Sequence, residues 1–191
     1  MALHPTLWRT CRVLAGPTRL RLLRRVIARP GLTVQQLADA QDIGKSRASQ
    51  ELRRLQSRGL IQARRKSARV AYHPVPDPLV ATAKPLLEAM KTAFASTAPR
   101  QDRLAIGSAV ALAYPRRQDI VRHLLDAPAS TADLAARLRI PRISTLRHLH
   151  ALRDLDLARN VRGLWHFTPT PHPLTRCLIR LLQQEPAPPP G

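Results

Sequence analysis

Four cations fall within six residues at Arg64, Arg65, Lys66 and Arg69, and a second group, Lys45, Arg47, Arg53 and Arg54, precedes them with Ser46, Ser49 and Gln50 interspersed. Guanidinium groups suit bidentate contact to phosphate and to guanine, and a glutamine amide suits adenine. The chemistry on offer is anion and base-edge binding. The composition of the 191-residue chain agrees: 32 Lys+Arg stand against 12 Asp+Glu, a formal charge of +20, so acidic partners come first. Lysine occurs only at Lys45, Lys66, Lys84 and Lys91. A general bias toward arginine would explain that ratio, but not the net charge.

Catalytic and metal chemistry fit poorly. Gly44-Lys45-Ser46 imitates the end of a phosphate-binding loop, but the glycine required five residues earlier is Asp39. His148 and His150 are two apart, on different sides of a helix, and Asp154 and Asp156 read as solvated residues at its end. No nucleophile elbow, zinc-protease or nucleotide-binding glycine pattern occurs. The expectation is no enzyme, no cofactor and no metal. Cys11 and Cys177 lie far apart without ligand spacing, which suits a reduced, intracellular setting. The charge-free stretch Leu104 to Pro115 is shorter than the ~20 residues a membrane helix needs, and Met1 to Arg12 lacks a sustained apolar region. A cytoplasmic, nucleoid-associated protein is expected, with no membrane partner.

The elements that must position the cations recur twice. Ala15-Gly16-Pro17-Thr18-Arg19 resembles Ala113-Tyr114-Pro115-Arg116-Arg117, and Leu37-Ala38 resembles Leu134-Ala135. Leu52-Arg53-Arg54-Leu55 matches Leu149-His150-Ala151-Leu152, and the prolines after Tyr72-His73 recur in register after Phe167-Thr168. In the first copy, Leu20, Leu23 and Ile27 lie at helical spacing between Pro17 and Ala28, and Pro30-Gly31 ends that helix. Thr33 with Gln36 predicts a capping box for a short second helix. A third helix runs from Lys45 to Arg58 and stops at Gly59.

Leu60 to Ala63 and Arg69 to His73 then read as strands around a basic tip, Arg64 to Ala68. The second copy predicts helices over Pro115 to Leu125, from Ser130 or Thr131, and over Arg142 to Leu155. A hairpin with Arg162-Gly163 at its turn follows. Helices are expected after each hairpin, from Pro78 to about Ala95 and from Pro173 to Gln184. With only 3% aromatics, a β-sandwich or a stacking platform for single strands is disfavoured.

Two helices, a turn, a third helix and a basic hairpin make a winged helix-turn-helix, in which the third helix enters the major groove and the hairpin lies on the backbone or minor groove. Ala15-Gly16-Pro17-Thr18-Arg19-Leu20-Arg21-Leu22-Leu23, Leu37-Ala38, the run Ile43 to Leu55 and Gly59-Leu60-Ile61 resemble the ArsR-type winged-helix regulators. The resemblance implies transcriptional regulation through double-stranded DNA. Some members sense metals through cysteines before the turn or through ligands on terminal helices. No cysteine lies between Thr33 and Arg58 here, so metal sensing is not expected. Single-copy members dimerise, whereas here the segments near Leu3 to Val13, Pro78 to Phe94 and Pro173 to Leu182 can pair two copies inside one chain.

Ala48, Leu52 and Leu55 must face inward on the third helix, which leaves Lys45, Ser46, Arg47, Ser49, Gln50, Arg53 and Arg54 on or beside the outward face. Each alone could be an ordinary solvated side chain, but as a group they point to DNA. Arg64, Arg65, Lys66 and Arg69 read as a phosphate clamp. In the second copy, Arg142, Ser144, Arg147, His150 and Arg162 are the corresponding candidates, but Ile143 and Leu146 replace Ser46 and Ser49. Leu146 could meet a thymine methyl or be buried against a neighbouring helix. Residues 8 to 79 carry 16 basic and 4 acidic side chains, and residues 108 to 179 carry 11 and 5, so the first copy is the better reader.

The fold expected is mostly α with small β-hairpin wings, two tandem winged helix-turn-helix domains joined by a long helix. They occupy residues 1–100 and 101–185, with a disordered proline-rich tail at 186–191. The function expected is a double-stranded DNA-binding transcriptional regulator, a monomeric pseudo-dimer or a homodimer, with a small-molecule or protein effector left open. The alternative is a winged-helix interaction module of a nucleoprotein assembly. RNA binding ranks third.

Overall fold

A computed structural model describes residues 6–66, 68–95 and 99–185. The expected tail at 186–191, and Leu3 to Pro5 of the expected interface segment, lie outside the described residues. The chain runs α1 (Leu7–Leu14), α2 (Pro17–Ala28), β1 (Leu32–Thr33), α3 (Val34–Asp39), α4 (Lys45–Gln56), β2 (Gln62–Lys66), β3 (Arg69–His73) and α5 (Ala83–Phe94). It continues with α6 (Pro99–Ala111), α7 (Pro115–Asp126), β4 (Ala129–Ser130), α8 (Thr131–Leu138), α9 (Arg142–Arg153), β5 (Ala158–Val161), β6 (Leu164–Phe167) and α10 (Pro173–Gln184). The order from α6 to α10 repeats that from α1 to α5. The antiparallel sheets agree as well, β1-β3-β2 and β4-β6-β5.

Local chemistry accounts for the matching starts and stops. Pro17 and Pro115 open α2 and α7 at positions where a missing N–H costs nothing. Thr33 caps α3 in a box with Gln36, and Ser130 caps α8 in a box with Asp133. Beyond α4, Gly59 takes φ +67°, a conformation that only glycine adopts without strain. The hairpin turn Arg162-Gly163 has φ +52° and +87°, the paired positive values of a type I′ turn, and Asn160 Oδ1 accepts from Gly163 N at 3.1 Å.

Three features differ from the sequence-based expectation. Arg64, Arg65 and Lys66 are not a turn but the end of β2, in register with Ala71, Val70 and Arg69. Main-chain pairing there outweighs the repulsion of neighbouring cations, of which Arg64 and Arg65 are exposed. The helix after the first hairpin begins at Ala83 rather than Pro78, because Pro74, Pro76 and Pro78 supply no N–H and Asp77 Oδ1 takes up Leu79 N at 2.9 Å. The connection between the halves is two helices, α5 and α6, rather than one long one, and the boundary expected between 100 and 101 falls in the first turn of α6.

In the first half the core comprises Leu20, Leu23 and Val26 of α2, Leu37, and Ala48, Leu52 and Leu55 of α4. Ile120, Val121, Leu124, Leu134, Leu149 and Leu152 do the same in the second. The remaining helices join these into one apolar cluster through Cys11, Leu14, Leu86, Met90, Ala105, Leu174, Leu178 and Leu182, among others. In that bundle α5 packs on α10 and α1 on α6, so each helix meets its own positional counterpart. The cross pairs match too: α5 touches α6, and α10 touches α1.

Arginines on α2 and α7 tie each half to this bundle at equivalent places. Arg24 donates to Phe94 O at the end of α5 at 3.2 Å and pairs with Asp102 of α6. Arg122 donates to Leu182 O near the end of α10 at 3.4 Å and pairs with Asp119 and Glu185. A cation at a helix C-terminus satisfies carbonyls that lack intrahelical partners. Glu185 also accepts from Leu7 N at 2.9 Å, so the last described residue holds the start of α1.

A Cβ on Gly59 would lie 3.0 Å from the Cβ atoms of Asp77 and Val80, while one on Gly163 would meet nothing within 4 Å. Both residues have positive φ, so both alanine variants carry backbone strain of about 1–2 kcal/mol, but only Gly59→Ala adds overpacking. In chemical denaturation Gly59→Ala is expected to lose at least about 1 kcal/mol more than Gly163→Ala. Equal losses would show that the contact between the end of α4 and residues 77–83 is slack.

Candidate nucleic-acid interface

On α4 the inward residues are those the spacing predicts, and Lys45, Ser46, Arg47, Gln50, Arg53 and Arg54 are exposed, with Ser49 half-buried. Among the described residues, Arg47, Arg53, Arg64, Arg65 and Arg69 make no ion pair. Arg54 differs, because its Nη1 meets Glu51 Oε1 at 2.9 Å.

Glu51 also receives Arg19 Nη1 on its other oxygen at 2.7 Å. Arg19 in turn donates Nε to Val13 O at 2.5 Å and Nη2 to Arg12 O at 3.2 Å, at the end of α1. One guanidinium thus fixes α4 to α1 through α2. A Cβ on Gly16 would come within 2.3 Å of Arg19 Nη2, so the glycine makes room for this anchor. The anchor is not legible in the sequence, where Arg19 and Glu51 are 32 residues apart. The only local signal is a glycine set before a helix-opening proline.

The wing stands beside α4. Arg53 lies near the Tyr72 phenol of β3, whose pKa is raised because burial outweighs the opposing pull of that cation. Arg64 and Arg65 are exposed on successive β2 positions and so point to opposite faces of the hairpin, while Arg69 stands exposed on β3 opposite Lys66.

The second half departs from this arrangement. Arg142, Arg147 and Arg162 are exposed, but Ser144 is half-buried and His150 lies against Trp165 with ring centroids 5.9 Å apart. Trp165 is held by its Nε1 donating to Thr131 Oγ1 at 3.0 Å. Ile143 is 70% exposed, and Leu146 is exposed rather than buried against a neighbouring helix. Where Glu51 stands in the first half, the second has His148. Its partner by position, Arg117, turns to Val110 O at 3.1 Å at the end of α6 and lies 4.4 Å over the Tyr114 ring. Burial first, and then Arg117, Arg116 and Arg147, hold the His148 imidazole below its ordinary pKa.

Among the described residues no three His, Cys, Asp or Glu side chains gather as a metal site, and no helix is long and apolar enough to cross a membrane. Cys11 is wholly buried in the bundle, and burial drives its thiol pKa far up.

Residues 16–69 match the model of the MarR family. The match begins at the glycine before α2, ends on the first residue of β3 and covers less than half of the chain. It indicates a winged-helix DNA-binding transcriptional regulator, and it is to the MarR rather than the ArsR type. No curated protein and no solved structure matches the chain.

His148 carries a pH dependence whose sign follows from the direction of its shift. A histidine held neutral in the fold takes its proton more readily when unfolded. Its stabilising contribution is therefore complete above the ordinary imidazole pKa of about 6.5 and is lost as pH falls below it. Stability measured by urea unfolding between about pH 7 and about pH 5 is expected to fall on acidification, and His148→Gln should flatten part of that slope. An unchanged slope in the variant would place the responsible proton elsewhere.

Proposed function

We propose that the protein is a transcriptional regulator that acts by binding double-stranded DNA, without catalysis and without a cofactor. The first winged helix is its reader. The observation that carries this reading is the outward face of α4. It is polar or cationic at every exposed position, is anchored by Arg19 and Glu51, and lies with the strand cations of the wing within the family-matched residues. Lys45, Ser46, Arg47, Ser49, Gln50 and Arg53 are assigned to the major groove, with Arg54 beside them. Arg64, Arg65, Lys66 and Arg69 are assigned to phosphates along the backbone or minor groove.

The recurrence of element and strand order supports two winged-helix domains, residues 1–100 and 101–185. The pairing of α5 with α10 and of α1 with α6 supports an intrachain pseudo-dimer. In a two-fold interface each element meets its own counterpart, and here that relation holds within one chain. In such an arrangement Arg142, Ser144, Arg147, His150 and Arg162 would face an adjoining half-site. A second reading, an interaction module, is favoured for residues 101–185 by the 70% exposure of Ile143 on the face that would have to meet DNA.

Gel shifts on random duplex DNA across a salt titration test the first reading. Affinity is expected to fall steeply with salt at one chain per site. Arg64→Ala and Arg65→Ala should each reduce the slope of log affinity against log salt by about 1. Binding insensitive to salt, or none at low salt, refutes the assignment.

Selection from random duplexes tests the helix. Arg47→Ala and Gln50→Ala are each expected to relax preference at one base pair, by about 1–3 kcal/mol for a bidentate contact. Retention of the parent preference by both variants would mean that α4 does not read bases.

A further inference from the structure

We propose that the face formed by α9 and the β5–β6 wing is a docking surface for a partner protein segment that carries apolar side chains flanked by carboxylates. The inference rests on the interaction-module reading of residues 101–185. Equivalent positions in the two halves carry it. On the helices, Ser46 and Ser49 of α4 correspond to Ile143 and Leu146 of α9. On the wings, Thr33 pairs with Ala71 as Ser130 pairs with Leu164, so the Arg64–Ala71 pair corresponds to Val161–Leu164, and the cationic end beyond it, with Arg65, Lys66 and Arg69, has no counterpart in the shorter second wing. Two hydroxyls on the helix and one cation on the wing thus give way to branched apolar residues, and Leu164 replaces an alanine.

These side chains are not absorbed by the core. Ile143 is 70% exposed, Leu146 37%, Val161 42% and Leu164 43%, whereas α4 exposes no large apolar residue. Ile143 and Leu146 lie one helical turn apart, Val161 and Leu164 are a cross-strand pair, and α9 touches β5; grouped apolar residues mark an interaction site more often than single scattered ones do.

The surrounding charge selects the occupant. Arg142 and Arg147 flank the apolar pair on α9, and Arg159 and Arg162 flank the pair on the wing, all exposed. A second copy seated on the same face would set these arginines against their own kind, which is repulsive. Duplex DNA would satisfy the arginines. It would also place Val161 where the first half has Arg64, with Leu164 across from it, stripping water from phosphates with nothing in return. A protein segment with a Leu, Ile or Phe stripe and Glu or Asp beside it satisfies both kinds of group. An amphipathic helix is the economical form, since residues three and four apart share a face.

The test uses the full chain and three labelled peptides of about 18 residues that share one leucine stripe, flanked by glutamate, glutamine or lysine. Fluorescence anisotropy is expected to show the glutamate peptide binding best. The double variant Ile143→Ser, Leu146→Ser, which installs the residues of the first half at exposed positions, should weaken it at least about tenfold while leaving the duplex footprint unchanged. Unaltered binding of the glutamate peptide by the double variant overturns the proposal. A changed footprint overturns the interaction-module reading beneath it, because α9 would then be on DNA. If the variant loses the glutamine or lysine peptide as readily as the glutamate one, with the footprint unchanged, that reading survives and the acidic partner class falls.

Discussion

The packing of α10 on α5 is the contact on which the rest of the molecule depends, because it joins the last helix to one in the middle of the chain and leaves neither half free to turn. Leu174, Leu178 and Leu182 on one side and Leu86, Leu87 and Met90 on the other are fully buried. Each such side chain contributes about 1.5–3 kcal/mol, whereas an exposed ion pair contributes about 0–1. Apolar burial therefore sets the arrangement, and the arginine ties at Phe94 O and Leu182 O align what it has already brought together. With α1 also seated on α6, the first and last described helices both belong to the bundle, and the outward faces of α4 and α9 stay unburied.

Within that frame the two outside helices are braced differently. Arg19 reaches the end of α1 and the Glu51 carboxylate together, so α4 is held by a charged, partly buried link and one of its own surface cations is drawn into it. Arg117 makes the corresponding reach to the end of α6 but finds an imidazole where the carboxylate would be, and turns to Tyr114 instead. A helix that must present donors to base edges needs its register fixed to a fraction of an ångström, since a hydrogen bond weakens steeply with misalignment. A helix that offers methyl groups to an apolar partner does not. The bracing of each helix thus matches what its outer face carries.

Much of this is legible in the sequence, for identifiable reasons. Proline at a helix start, Thr33 before Gln36, and Gly59 after an apolar-periodic run are local signals with local causes, and the helices they predict are present. The inward and outward faces of α4 follow from three residues, Ala48, Leu52 and Leu55. The strands β1 and β4 are not legible, because two residues carry no period. Helix α6 is hidden for a related reason, since it is apolar on most sides and its stretch from Leu104 onward shows length but no stripe. The end of β2 is misread because charge suggests a turn, while pairing to β3 is decided by main-chain groups that every residue has. Long-range links such as Arg19 with Glu51 and Leu7 with Glu185 depend on the packed arrangement, which no spacing along the chain encodes.

The contrast between the halves also separates what holds the fold from what gives it a use. Leu52 and Leu149, Leu55 and Leu152, and Leu37 and Leu134 are interchangeable in kind because both cores have the same shape to fill. The residues between them touch solvent, contribute little to stability, and are constrained only by what docks there. Ser46 against Ile143, and Arg64 against Val161, therefore change the chemistry of the surface without changing the core beneath it. Charge follows the same division: residues 8–79, whose third helix is polar on its outward face, carry 16 basic and 4 acidic side chains, against 11 and 5 in residues 108–179, where that face is apolar.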